Sequence, residues 1–197
     1  MKNEINRIAD RLVKAFNTNT VINPIPVKYC KNINLANKLR KLCEDQIKDE
    51  TIGIKAGGTG IQALKKLKEK EPFTAKVFKK RLVKSGQKVK INQHTKGIEV
   101  EVYYFIKKSF FDFKGKVTKS NVTKFIKFMG PCFEIVGFRQ RNKKFTYLGD
   151  ICGDFGFNIK FVVGRKTKFK KLNLNNLKTS LVSKKNGVKV NGNTKSP

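Results

Sequence analysis

Acidic side chains are scarce in this chain. Its 197 residues include 14 Asp and Glu against 45 Lys and Arg, which gives a formal net charge of +31 at neutral pH. Such a charge is compatible with a polyanion, such as nucleic acid or an anionic membrane, and with an acidic small molecule. The lysines are spread along the whole chain, however, and no helix-turn-helix, RNA-binding aromatic motif or zinc-finger spacing accompanies them. We therefore expect a solvated lysine-rich surface and no specific nucleic acid partner.

Several other chemistries lack the residues that they need. The single histidine, His94, cannot supply a histidine cluster for zinc, and no Gly-x-Ser-x-Gly segment indicates a serine hydrolase. The four cysteines, Cys30, Cys43, Cys132 and Cys152, form no Cys-x-x-Cys pair. They are expected to be small hydrophobic residues in a reducing compartment.

Long apolar runs are also missing. The N-terminal segment MKNEINRIADRLVKAF interrupts its apolar positions with charges, which is typical of neither a signal peptide nor a membrane span. No later segment has the length that crossing a bilayer requires. We expect a cytoplasmic protein with no membrane partner.

Periodicity predicts helices first and strands afterwards. Apolar residues at helical spacing predict helices over 4–16 and 34–48, and a third helix from Ile61 follows the loop segment GGTG. That segment lacks a full phosphate-loop pattern, which disfavours a nucleotide site. We predict a helical region over 1–70 and a mainly β body over 71–197 that together form one structural unit.

The strands of the β body are predicted from β-branched and aromatic runs. These runs are AKVFKKRLV, KVKI, IEVEVYYFI, PCFEIVGF and NIKFVVG. The pair Asn186-Gly187 between valine-containing arms predicts a hairpin. A short helix capped by Ser120 is predicted between the third and fourth of these strands, carrying Val122, Phe125, Ile126 and Met129.

Five carboxylates stand in apolar or glycine-rich runs. Glu99 and Glu101 are two residues apart in a predicted strand, so both point from the same face, while Glu134, Asp150 and Asp154 stand further on. Like charges on one face repel unless a cation joins them, and Mg²⁺ or Mn²⁺ prefers such oxygen ligands. For Glu99 and Glu101 taken alone, an edge strand whose glutamates meet water and pair with lysine is the favoured explanation. The residues alone leave both interpretations open, although Glu134 needs its own explanation.

Five short segments occur in an order and spacing that resemble a known family. They are IADRLVKAF…PIPV, IGIKAGGTGIQ, IEVEVYYFI, GPCFEIVGFR and GDICGDFGFNIKFVVG. Across most of the chain they resemble the 2-keto-4-pentenoate hydratase branch of the fumarylacetoacetate hydrolase superfamily. The resemblance implies an α+β fold, with N-terminal helices before a distorted, mainly β barrel or roll.

The resemblance also implies a function and a set of roles. It implies a cytoplasmic, homo-oligomeric, Mg²⁺- or Mn²⁺-dependent hydratase or lyase of aromatic catabolism, acting on a small 2-oxo acid such as 2-oxopent-4-enoate through a metal-stabilised enolate. Glu99, Glu101 and Glu134 are the implied metal ligands.

Further positions follow from the same segments. Lys55 is implied beside the substrate carboxylate or enolate, Arg139 and Asp154 orient these groups, and the Gly57-Gly58 backbone approaches the substrate.

The chain departs from the family pattern in three places. Phe155 stands where an asparagine is expected, and AKVFKKRLV lacks an acidic residue. The chain ends at GNTKSP where the family continues, so we expect roughly the last quarter of the domain to be missing. A decarboxylase or acylpyruvate hydrolase of the same superfamily, a catalytically inactive homologue and a basic nucleic-acid-binding protein remain the alternatives.

Overall fold

The computed structural model describes residues 2–91, 94–172, 177–182 and 187–193. Its α-helices are α1 Lys2–Thr18, α2 Lys28–Lys31, α3 Ile33–Asp45, α4 Ile61–Leu67 and α5 Leu148–Cys152. Its strands are β1 Thr51–Gly57, β2 Phe73–Phe78, β3 Leu82–Lys84, β4 Thr95–Ile106, β5 Ile126–Gly137, β6 Asn158–Val163, β7 Thr167–Lys168, β8 Lys178–Val182 and β9 Lys189–Asn193. Short 3-10 helices lie at Lys79–Arg81, Lys108–Phe110, Val122–Phe125 and Phe155–Phe157. The predicted α+β class, with helices before a mainly β body, is confirmed.

The N-terminal helices form because their apolar residues share one face. Ile5, Ile8, Leu12 and Phe16 of α1 are buried in one cluster with Leu39 of α3 and other residues. The side chain of Asn32 accepts hydrogen bonds from the backbone amides of Asn34 and Leu35, at 3.0 and 3.1 Å, and so caps α3. No described helix is long and apolar enough to cross a membrane.

The described strands lie in three sheets. β1 and β2 form an antiparallel pair in which Lys55 stands opposite Ala75. A five-stranded sheet has the order β3-β6-β5-β4, with β7 also paired to β5. β8 and β9 form a third, antiparallel pair that joins Lys178 to Asn193 and Val182 to Lys189. The predicted hairpin is therefore present as a strand pair, whereas Asn186 itself lies outside the described residues.

The chain divides into two compact units. The first comprises residues 1–99 and 134–162, and the second comprises 100–133 and 163–197. Both buried apolar clusters consist of residues of the first unit, and Leu12, Leu39, Leu148 and Phe155 are among the largest side chains in them. The division predicted at residue 70 stays a prediction.

Two predicted elements are wrong. KVKI, residues 88–91, forms no strand and is mostly exposed, because the face that Val89 and Ile91 would share in a strand is not buried and Ile91 is 62% exposed. The helix predicted after Ser120 is a single 3-10 turn at Val122–Phe125, and β5 begins at Ile126. The Ser120 hydroxyl bonds the Thr118 hydroxyl at 2.8 Å and caps no helix.

Candidate metal centre and the lysine beside it

Three glutamates converge on neighbouring strands of one sheet. Glu99 and Glu101 lie on β4, and Glu134 lies on the adjacent strand β5. One carboxylate oxygen from each residue lies within 4.8 Å of the other two. The predicted convergence is therefore present, although Glu134 is 33 or 35 positions further along the chain than the other two. Their role as metal ligands stays a prediction.

The strand that carries Glu99 and Glu101 is more exposed than its sequence suggests. Ile98 is 47% exposed and Val100 is 41% exposed, and both glutamates are exposed as well. β4 stands at the end of the described sheet order, as expected for an edge strand. Water therefore solvates these two carboxylates in part, so neither of them alone requires a cation.

Glu134 has a different environment, because Lys55 holds it. The side chain of Glu134 is 2% exposed and that of Lys55 is 10% exposed. Lys55 Nζ donates to Glu134 Oε1 at 2.7 Å, to Glu134 Oε2 at 2.9 Å and to the carbonyl oxygen of Gly156 at 2.9 Å. An ammonium has three protons, so these bonds use its whole donor capacity. The geometry fixes a positive charge beside the carboxylate cluster.

A left-handed turn presents the Gly156 carbonyl to Lys55. Phe155, Gly156 and Phe157 have φ angles of +53°, +68° and +72°. Glycine tolerates this region, whereas phenylalanine does so at a cost. A Cβ at Gly156 would stand 2.6 Å from the Cβ of Ala75, so packing also requires glycine there. The backbone is strained where it touches the lysine, as often happens at functional sites.

Phe155, which departs from the expected asparagine, is a core residue. It is 1% exposed, and its ring stacks on that of Phe16 with a centroid separation of 4.3 Å. The aromatic side chain thus ties the turn to α1, and its burial offsets the unfavourable φ. No local sequence pattern indicates this contact, because Phe16 is 139 positions away from Phe155.

Arg139 and Asp154 form a buried pair at the base of the same turn. Arg139 Nη1 lies 3.2 Å from Asp154 Oδ1, and the Arg139 backbone amide donates to Asp154 Oδ2 at 2.8 Å. Gln140 Nε2 donates to Asp154 Oδ2 at 3.1 Å, and Arg139 Nη2 donates to the Asn158 carbonyl at 2.5 Å. Burial lowers the pKa of Arg139, and Asp154 opposes that shift. These contacts hold the segments on both sides of the turn. Gln140 and Asn158 were not predicted from the sequence, because neither belongs to a recognisable motif.

Asp150 belongs to a separate ion pair. Its Oδ1 lies 2.6 Å from Lys143 Nζ, and its Oδ2 accepts from the amides of Thr146 and Tyr147. Burial raises the pKa of Asp150, but Lys143 and these amides outweigh that effect, so the pKa lies below its usual value. The neighbouring thiol of Cys30 has its pKa raised to about 11, first by burial and then by Asp150. Asp150 stabilises the start of α5.

Both glycines of the Gly57-Gly58 pair have packing reasons to be glycine. A Cβ at Gly57 would overlap the ring of Phe73. Gly58 has a φ of +72°, and a Cβ there would stand 2.7 Å from Leu148 Cδ1. The predicted approach of this backbone to a substrate stays a prediction.

A cavity of about 320 Å³ lies beside Glu101 within the second unit. Val100, Val102, Met129 and Pro131 supply part of its apolar lining, and two lysines, Lys170 and Lys178, also reach it. Its size and mostly apolar lining suit the carbon chain of a small ligand.

Comparison with solved structures identifies the fold. Two structures of 4-oxalocrotonate decarboxylase from Pseudomonas putida G7 match the whole of this chain and 75% of their own length. The structure complexed with magnesium and adipate has a TM-score of 0.73 at 15% identity, and the one complexed with calcium and acetate has 0.76 at 16%. The likeness establishes a shared fold.

Sequence comparison adds no further assignment. No protein-family model matches the chain, and no curated protein matches it.

Proposed function

We propose that this chain is a divalent-metal-dependent enzyme of the fumarylacetoacetate hydrolase superfamily that acts on a small 2-oxo acid. The convergence of Glu99, Glu101 and Glu134, with Lys55 bound to the third, carries the proposal. The shared fold with a decarboxylase complexed with magnesium supports it.

The residues fit a hard divalent cation. Each glutamate offers an oxygen, the donor type that Mg²⁺ and Mn²⁺ prefer. Three ionised carboxylates and one ammonium carry a net charge of −2, which one divalent cation neutralises. Exposure of Glu99 and Glu101 leaves room for water or substrate oxygens. A bound cation would supply the positive charge that stabilises a developing enolate.

Lys55 has a distinct role in this proposal. Its ammonium holds Glu134 in one orientation, and the Gly156 carbonyl holds the ammonium. To contact a substrate carboxylate or to transfer a proton, Lys55 must exchange one of these bonds. Asp154 and Arg139 are positioning residues, because they act through the turn that carries Gly156.

Hydration and decarboxylation are the two candidate reactions that a specific resemblance favours. The sequence resemblance favours hydration of 2-oxopent-4-enoate, whereas the fold neighbours favour decarboxylation of 4-oxalocrotonate. In both, charge develops on the oxygen of a 2-oxo acid. The cavity beside Glu101 is the proposed place for the carbon chain. A homo-oligomeric state and a cytoplasmic location stay predictions.

Turnover of the two substrates, followed by ultraviolet absorbance, tests the proposal. Chelator-treated protein should be inactive, and Mg²⁺ or Mn²⁺ should restore activity. Glu134→Gln should lower kcat at least about 100-fold, because it removes a ligand and the Lys55 partner. Glu71→Gln, at an exposed position, is the matched control. Metal-independent turnover, or equal loss in both variants, would contradict the proposal; metal binding without turnover would favour the catalytically inactive homologue.

A further inference from the structure

A short loop of the second unit exposes apolar and basic side chains together. Residues 107–117, KKSFFDFKGKV, follow β4 and precede the 3-10 helix at Val122–Phe125; we name them the Phe–Lys loop. Phe111 is 75% exposed, and Val117 is 47% exposed. Two apolar side chains that remain this exposed within one short loop indicate a contact surface.

The aromatic residues of the loop are held by ring contacts. The ring of Phe125 lies 5.4 Å from that of Phe110 and 5.0 Å from that of Phe113, between centroids. Phe111 meets Phe110 edge to face at 5.7 Å. Phe111 is therefore supported from behind by a packed cluster while most of its own surface remains in water.

Hydrogen bonds hold both ends of the loop. The Lys107 amide donates to the Phe125 carbonyl at 2.7 Å. The Asn121 side chain donates to the Lys116 carbonyl at 2.8 Å and accepts from the Thr118 amide at 2.8 Å. The loop is thus pre-organised, and binding through it does not require ordering a flexible segment.

The charge around the loop is predominantly positive. The second unit, residues 100–133 and 163–197, contains 17 Lys and Arg but only two acids, Glu101 and Asp112. Within the loop, four lysines flank the apolar residues. Two copies meeting through this surface would bring like charges together, which disfavours self-association. An anionic partner is the complementary one.

We propose that the Phe–Lys loop docks on the surface of an anionic phospholipid bilayer. Phe111 and Val117 enter the headgroup region, while Lys107, Lys108, Lys114 and Lys116 remain among the lipid head groups. A single-stranded nucleic acid fits less well, because residues 107–117 contain no Arg, Asn, Gln or Tyr to hydrogen-bond base edges. The inference is independent of the proposed activity, and it differs from the sequence-based expectation of no membrane partner, which stays a prediction.

Co-sedimentation with vesicles tests this inference on the full chain. The protein should bind phosphatidylcholine vesicles that contain phosphatidylserine, and should not bind pure phosphatidylcholine. Phe111→Ser should weaken partitioning about tenfold, whereas Ile91→Ser, at a 62% exposed position of the first unit, should not. The double variant Lys114→Gln and Lys116→Gln should weaken vesicle partitioning about fivefold for each lysine removed. The control double variant Lys65→Gln and Lys66→Gln, at exposed positions of the first unit, should leave partitioning unchanged.

A fluorescent variant gives a second readout that does not depend on loss of binding. The chain contains no tryptophan, so Phe111→Trp introduces a single reporter. Its emission should shift to shorter wavelength with anionic vesicles and stay unchanged with neutral ones.

Three outcomes would overturn the proposal. The first is equal partitioning of the loop variants and their controls onto anionic vesicles, or tryptophan emission of Phe111→Trp that does not shift when these vesicles are added. The second is a dimer that forms without vesicles and is lost in Phe111→Ser, which assigns the loop to a second copy. The third is tight binding of poly(U) that Phe111→Ser weakens while vesicle binding is absent.

Discussion

Lys55 Nζ lies 2.7 Å from Glu134 Oε1, although 79 positions separate the two residues in the chain. Their pairing joins β1 of one sheet to β5 of another, and both belong to the first compact unit. Removing one partner of a buried ion pair leaves the other charge buried without compensation, and this lowers the free energy of unfolding more than losing the attraction itself.

Lys55→Met should therefore lower the free energy of unfolding by about 3 kcal/mol or more, because it leaves Glu134 buried without its ammonium. Lys76→Met is the control, since its pair with Asp45 is 38% and 69% exposed and such pairs contribute about 1 kcal/mol or less. Urea unfolding of both variants measures the difference. Equal losses would contradict a dominant role for the buried pair.

Gly156→Ala should destabilise the protein and also lower kcat. The substitution adds a strained positive φ and a contact with Ala75, together about 2 kcal/mol or more, and shifts the carbonyl that holds Lys55. Gly187→Ala is the matched control, because Gly187 has a φ of +67° and no atom of the described residues lies within 4 Å of an added Cβ. It should cost only about 1 kcal/mol, with kcat unchanged. Urea denaturation and steady-state kinetics of both variants test this. A fall in kcat only in Gly156→Ala would show that the Gly156 carbonyl positions Lys55, whereas unchanged kcat in both variants would limit its role to packing.

Acid stability should depend on Asp150. Its folded-state pKa is below its usual value of 3.8, so it adds stability above that pH, and this stability is lost as the pH falls through the folded-state pKa. Asp150→Asn should flatten the acid limb of the stability curve. Asp112→Asn, at an exposed position, should leave that limb unchanged. Thermal melting between about pH 2 and 7 compares the variants, and identical acid limbs would contradict the assignment.

The cysteines should be unreactive in the folded protein. Cys30, Cys43, Cys132 and Cys152 are all buried, and burial raises the pKa of the Cys30 and Cys152 thiols to about 11. Thiolate is the reactive form, so little of it is present at pH 7.5. A colorimetric thiol reagent should label the native protein slowly and all four cysteines after denaturation. Rapid native labelling would mean that these sites open to solvent.

The sequence predicts the parts of the fold that depend on neighbouring residues better than the parts that depend on contacts between distant residues. The residues of α1 recur at helical spacing, so local periodicity sufficed, whereas KVKI failed because β-propensity does not report whether a face is buried. The Glu-x-Glu spacing placed Glu99 and Glu101 on one face, but only the family resemblance brought Glu134 to them. The contact between Phe16 and Phe155 depends on tertiary packing and has no local signature.

Metal binding by the carboxylate cluster tests the central claim most directly. Titration of chelator-treated protein with Mn²⁺, followed by electron paramagnetic resonance of the free ion, measures stoichiometry and affinity without requiring a substrate. The account predicts one site per chain that Glu101→Gln and Glu134→Gln each weaken at least about tenfold, while Glu71→Gln leaves it intact. Absence of binding, or equal affinity in all three variants, would contradict it.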